Sequence, residues 1–142
     1  MNPRRYLIDN SVWQRVAKPR VRAALRARMS RPGFPDVLIC PPIAAEVGFS
    51  ARDAREHAEI REQLLAYRDC RTAPLADDVL AIQEAVIATG RHRAVGAIDA
   101  EIAAYALAND ATLLHYDRDF ETVADCVPGF RHEWLLPAGT ID

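Results

Sequence analysis

"DVLICPPIAAEVGFS" (36–50) decides how this chain reads. From Val37 to Cys40 the residues are apolar without alternation, the mark of a strand buried on both faces. Pro41 and Pro42 follow at once and open a helix, where the missing N–H of proline costs nothing. A doubly buried strand running straight into a helix is the repeating unit of a sheet with helices packed against it.

The same alternation extends in both directions. "RYLID" (5–9), "CRTAPL" (70–75) and "ATLLHY" (111–116) read as strands, and the alternating "FRHEWLL" (130–136) as an edge strand with one wet face. "NSVWQRVAK" reads as a short helix ended before Pro19, and "RVRAALRARM" (20–29) as a second, closed by "SRPGFP". A longer helix is expected over 52–69, with His57, Ile60, Leu64 and Tyr67 as its apolar stripe. Three more follow at 77–90, 96–109 and 118–124, the first with acids in its opening turn and Gly90 as its cap. These elements predict a single α/β domain over 1–142. It is an α/β/α sandwich whose central, mainly parallel sheet has four to five strands and helices on both faces. Sheets of this kind place their sites beyond the carboxyl ends of the strands.

Length and composition narrow the classes. The chain has 142 residues, enough for one full core, and its 27% charged residues are ordinary for a soluble globular protein. No apolar run approaches the ~20 residues of a membrane span, and the N-terminal apolar stretch is too short for a signal peptide. A cytoplasmic protein without membrane contact is expected. Cys40, Cys70 and Cys126 are too few and too scattered for a disulfide framework or a zinc site, so they read as core fillers. The net charge of −2 gives no global attraction to nucleic acid. Lys18 is the only lysine, so arginine carries nearly all the positive charge.

Most acids fall on charged helix faces, but four do not. Asp9 ends the first strand, and Asp117 follows "LLHY" at the end of another. Glu46 lies in an apolar helix with Ile43 and Phe49 three residues away on either side, positions that share its face. Asp99 belongs to the stripe of Ile102, Ala103 and Ala106. Singly, each has a structural reading, as a helix cap, a first-turn acid or the partner of a buried arginine. Together they gather at one end of a parallel sheet. Carboxylates ~4 Å apart repel by roughly 4 kcal/mol at an effective dielectric near 20, so proton sharing or a cation must relieve them. Oxygen donors without cysteine or histidine at ligand spacing suit a hard cation, Mg²⁺ or Mn²⁺. With no Gly-rich phosphate loop, GxSxG elbow or GxGxxG turn present, hydrolysis of a nucleic-acid backbone leads.

These residues resemble a known family. Asp9 in "YLIDNSVW", Glu46 in "PPIAAEVGFSAR", Asp99 in "GAIDAEIAAYAL" and Asp117 in "ATLLHYDRDFETVA" are similar, in order and nearly end to end, to the four acidic motifs of PIN-domain ribonucleases. More narrowly, they resemble the toxins of VapBC toxin–antitoxin pairs. The resemblance implies a PIN-like fold whose acids bind Mg²⁺ or Mn²⁺ for endonucleolytic cleavage of RNA. It also implies a small VapB-like antitoxin that inserts a segment into the site, and a homodimer. It gives Asp9, Glu46, Asp99 and Asp117 as the catalytic acids, with Asp9, Asp99 and Asp117 as metal ligands. Ser11 matches the motif's hydroxyl residue, an accessory holding a metal-bound water or the substrate phosphate. Asp119 is either a fifth, accessory acid or the cap of the helix through Phe120. In "GRHRAVG" (90–96), Arg91 and Arg93 suit the phosphate backbone of a substrate, although a solvated loop explains them as well. His92 and His115 lack ligand spacing.

Other functions compete. A haloacid-dehalogenase-like phosphatase also begins with a strand-end Asp, and Ser11 permits it, but that chemistry generally uses a downstream lysine and none follows Lys18. A response-regulator receiver fails on the same lysine. An RNase H-like nuclease would open with consecutive antiparallel strands, whereas this chain turns helical after Asp9. A non-enzymatic binding module with structural acids would bind no Mn²⁺.

Overall fold

The apolar runs around Leu7 and Leu113 meet at the centre of the molecule, in parallel register from Arg5 opposite Ala111 to Ile8 opposite Leu114. The computed structural model describes residues 4–33 and 35–141. Among them five strands are formed: β1 (Arg5–Ile8), β2 (Asp36–Ile39), β3 (Arg68–Asp69), β4 (Ala111–His115) and β5 (Arg131–Trp134). The helices are α1 (Asn10–Trp13), α2 (Pro19–Met29), α3 (Pro41–Phe49), α4 (Ala54–Leu64), α5 (Ala76–Ile87), α6 (Ala97–Ala108) and α7 (Asp119–Cys126), with a 3-10 turn at His92–Ala94. The sheet order is β3-β2-β1-β4-β5, and every pairing is parallel. From β1 the chain builds outward through β2 and β3, then crosses to the other side for β4 and β5. The order therefore reverses between β1 and β4, which opens a crevice at their carboxyl ends.

The two faces of the sheet carry different layers. Leu7, Leu38 and Leu113 face a large core built with Ile43 and Val47 of α3, Ile82 of α5, Ile102 of α6 and Phe120 of α7. Tyr6, Ile8 and Leu114 point the other way, onto Val12 of α1 and Val21 of α2. This is the period-2 alternation of strands covered on both faces. Leu7, Leu113 and Ile102 are fully buried, and each such side chain contributes about 1.5–3 kcal/mol relative to exposure. Helix α6 is apolar nearly all round, with Ala100, Ala103, Ala104 and Ala106 buried, as a helix packed on several sides must be. Cys40 is buried, while Cys70 and Cys126 are partly buried against the same core; all three are free thiols.

Four local expectations are corrected. The first helix stops at Trp13, and residues 14–17 form turns in which Arg15, Val16 and Lys18 bond three residues back. Pro19 restrains the residue before it from helical geometry and itself opens α2. The helix expected over 52–69 ends at Leu64, and there is no strand over 70–75. The chain turns at 65–67 so that Tyr67 meets Trp13, with ring centroids 5.9 Å apart, and the two residues of β3 then pair with β2. Charged Arg68 and Asp69 are an edge strand made by the available partner rather than by propensity. Of the stripe expected in that helix, Leu64 is buried and Ile60 and Tyr67 partly so, but His57 is exposed.

Candidate metal centre

Asp9 stands where β1 has ended, its own N–H still bonded to the Leu114 carbonyl at 2.9 Å. Its carboxylate Oδ2 accepts the Ser11 N–H at 3.0 Å, so it caps α1, and it is 4% exposed. Burial raises its pKa above the ordinary value, with the Asp117 charge adding to this and the hydrogen bonds from Ser11 opposing it. Ser11 is also buried, and its Oγ accepts the Tyr116 N–H at 2.9 Å. One short turn after β1 therefore grips the turn that follows β4.

That second turn carries two acids. The Asp117 N–H donates to His115 Nδ1 at 3.1 Å, and Asp117 Oδ1 accepts the Asp119 N–H at 3.0 Å. Asp119 opens α7, and the fully buried Phe120 anchors that helix in the core. The run Asp-Arg-Asp-Phe thus presents two carboxylates and then fixes them with an aromatic side chain. Asp99 arrives from the first turn of α6, which packs against β4. Carboxylate oxygens of Asp99, Asp117 and Asp119 lie within 4.8 Å of one another. Burial first, then the charges of Asp117, Asp9, Asp119 and Glu46, push the Asp99 carboxyl up to about 7. Asp119 is raised by burial and by Asp117.

Glu46, half-buried on α3, is raised by burial and then by the charges of Asp9 and Asp117. The face expected for it needs correction: Ile43 is fully buried, but Phe49 is 92% exposed. Six residues at about 100° each leave Ile43 and Phe49 about 120° apart around the helix, with Glu46 at the boundary between them. Asp9, Glu46 and Asp99 thus all feel the charge of Asp117. The tightest group takes Asp119 from α7, and Asp9 and Glu46 are outside it. An all-carboxylate group held this close fits a hard divalent cation.

Arg91 is engaged elsewhere. It pairs with Asp125 at 3.2 Å and reaches Cys126 Sγ at 3.3 Å, at the other end of α7 from Asp119 and about 9 Å along its axis. Arg93 is exposed in the 3-10 turn, and the side chain of His92 lies outside the described residues. Two neighbours of the acids carry roles that their sequence positions do not show, Arg15 and the His115 that lacks ligand spacing. Arg15 donates to the Ser11 carbonyl at 2.7 Å and lies 5.1 Å from the Tyr116 ring centroid, bringing a cation to the rim. His115 is fully buried, and burial followed by the nearby His132 pushes its imidazole down to about 3. Its Nε2 meets His132 Nδ1 at 2.8 Å. No linear spacing signals either role, because Tyr116 and His132 reach Arg15 and His115 only through the fold.

A groove of about 810 Å³ runs between α1 and the α3–α4 pair, lined by Asn10, Trp13, Val47, Ile60, Leu64 and Tyr67 among others. Two buried polar atoms of residues lining it, Asn10 Oδ1 and Trp13 Nε1, have no hydrogen-bond partner among the described residues. Among the described residues no helix is long and apolar enough to cross a membrane.

Comparison with known proteins gives a consistent picture. The family model for the PIN domain matches residues 6–125. Ribonuclease VapC51 of Mycobacterium tuberculosis strain H37Rv is 33% identical over 144 residues, covering 97% of this chain and 98% of its own. Ribonuclease VapC21 of Mycobacterium tuberculosis strain CDC 1551 is 36% identical over 141 residues, covering 96% and 97%. Among solved structures, DNA-bound VapBC from Salmonella typhimurium superimposes with a TM-score of 0.68 at 18% identity, over 94% of this chain and 99% of that one. VapBC-1 from nontypeable Haemophilus influenzae gives 0.67 at 14% identity, over 92% and 98%. These two likenesses concern the fold.

Proposed function

This chain belongs to the PIN domain family, and on that premise we propose that it is a metal-dependent endoribonuclease, the toxin of a VapBC-type toxin–antitoxin pair. The observation that carries the reading is the convergence of Asp99, Asp117 and Asp119 at the carboxyl ends of the two central strands. Asp99, Asp117 and Asp119 would hold the ion, Mg²⁺ or Mn²⁺, with Asp9 beside them. When bound, such an ion activates water and stabilises the leaving oxygen of a phosphodiester. Glu46 stands at the rim with its proton affinity raised, which suits a carboxylate that takes a proton from the attacking water. Asp9 and Ser11 hold the two strand-end turns together, with the Ser11 side chain bonded both to the Asp9 carboxylate and to the Tyr116 N–H. Arg15 at the rim, and the exposed Arg93, supply positive charge for the RNA backbone. The phosphatase reading has no lysine to complete it after Lys18.

The partners belong to the same proposal. A VapB-like antitoxin fits a chain whose relatives are VapC ribonucleases, and the apolar groove beside Asn10 and Trp13 is the surface we assign to its segment. A second copy of the chain would dock on α5, where Leu80 and Ile87 lie on one face at 59% and 57% exposure. We also propose one domain over 1–142 and a cytoplasmic location.

The experiment incubates purified protein with structured RNA and Mg²⁺ or Mn²⁺, with and without a chelator, beside Asp9→Ala. Cleavage is expected only with metal and with Asp9 intact. Cleavage that survives the chelator or the substitution would sink the mechanism. Expression should arrest growth unless the antitoxin is co-expressed, and harmless expression of active protein would count against the toxin role.

A further inference from the structure

The turn after β4 carries two of the three clustered acids, and side chains hold three of its backbone N–H groups. Tyr116 donates to Ser11 Oγ, Asp117 to His115 Nδ1 and Asp119 to Asp117 Oδ1. Of the three acceptors only His115 is neither an acid of the cluster nor its expected hydroxyl neighbour. Its ring is fully buried and confined on three sides. Phe120 lies 5.2 Å from it, Trp134 4.9 Å and His132 5.0 Å, centroid to centroid, the last stacked at 27°. To accept the Asp117 N–H, Nδ1 must carry no proton, so the proton of the neutral ring sits on Nε2 and is donated to His132 Nδ1 at 2.8 Å. His132 then keeps its own proton on Nε2. The half-buried Asp117 N–H thus selects one tautomer of His115, and His132 accepts the proton that this tautomer presents.

We propose that His115 is a positioning residue for the acid cluster: its Nδ1 holds the Asp117 amide and so sets the aim of the Asp117 and Asp119 carboxylates at a bound divalent cation. This rests on the nuclease reading for its function but not for its test. A hydrogen bond that orients a ligand without touching the metal commonly changes affinity or activity by about 10–100-fold when lost.

Two substitutions pull in opposite directions. His115→Asn places an amide oxygen the same number of bonds from Cα as Nδ1, so it restores the acceptor while giving up most of the ring packing. His115→Phe keeps the ring against Phe120 and Trp134 but leaves the Asp117 N–H without an acceptor. Mn²⁺ binding is read directly from the free-ion electron paramagnetic resonance signal, with circular dichroism as the folding control. Positioning predicts that His115→Asn binds Mn²⁺ within about threefold of wild type, while His115→Phe binds at least about tenfold more weakly. In RNA cleavage the Phe variant should lose kcat with KM for RNA unchanged.

A residue that merely fills space gives the reverse order, with Phe the better variant, and that order overturns the proposal. So does a metal-free nitrogen NMR spectrum showing His115 protonated on Nδ1, or wild-type protein that binds no Mn²⁺. Wild-type protein that binds Mn²⁺ but leaves RNA intact overturns the nuclease reading alone, and the order of the two variants still decides about His115.

Discussion

The backbone N–H of Tyr116 donates to Ser11 Oγ at 2.9 Å, across 105 positions of sequence. This bond joins the turn after β1 to the turn after β4, and so holds Asp9 near Asp117. Ser11→Ala removes the acceptor of the half-buried Tyr116 N–H, which costs about 0.5–1.5 kcal/mol. Urea unfolding should show that loss and a Mn²⁺ titration should show weaker binding. A variant unchanged in both would mean that the two turns need no such tie.

The pH dependence of the metal-free protein follows from Asp99. Its folded carboxyl, held at about 7 chiefly by burial and then by the neighbouring acids, lies above the ordinary unfolded value. The Asp99 contribution to stability is therefore fully present below the unfolded value near ~3.9 and is lost as pH rises through about 7. Comparison of wild type with Asp99→Asn isolates it: the variant should gain melting temperature over wild type at pH 8 but not at pH 4. Mn²⁺ at a hundredfold its dissociation constant should stabilise wild type by about 2.7 kcal/mol and Asp99→Asn much less. Equal melting curves across this range would contradict the raised Asp99 carboxyl.

Asn109 supplies a control far from the acids. It is buried at the end of α6, just before β4, donates to the carbonyls of Thr72 and Tyr105 at 2.7 and 2.9 Å, and accepts the Thr72 N–H at 2.9 Å. Asn109→Ala strands these groups and should destabilise by about 1–3 kcal/mol or more in thermal or urea unfolding. Mn²⁺ affinity at moderate temperature should hold, since the site lies at the other end of the sheet. A large fall in affinity without unfolding would link the two ends.

The groove beside α1 gives a test of the antitoxin surface. Ile60→Glu places a charge in its apolar lining without touching the acid cluster. Co-expressed antitoxin should no longer rescue growth, while RNA cleavage by the purified variant continues. Full rescue would remove the groove from the interface.

Much of the fold is visible in residue order. The runs at Leu7, Leu38 and Leu113 have the continuous apolar character that only strands covered on both faces can use. The acids at Asp9, Asp99 and Asp117 stand out because their surroundings are apolar. By contrast β3 is two charged residues that pair because β2 has an open edge, and no local preference marks them. Phe49 shares nominal helix spacing with Ile43, yet the curvature of the helix surface takes it into solvent.

The sequence by itself determined the apolar strands around Leu7, Leu38 and Leu113, the helices between them, and that acids follow the central strands. Only the tertiary structure decided which acids converge. Asp119 joins Asp99 and Asp117 because α7 starts beside α6, while Asp9 and Glu46 remain outside the tightest group. The physical reason is range. Hydrophobic patterning acts along each element and can be read locally. Convergence of charges to a few ångströms depends on bonds such as Ser11 to Tyr116, which exist only once the strands are side by side.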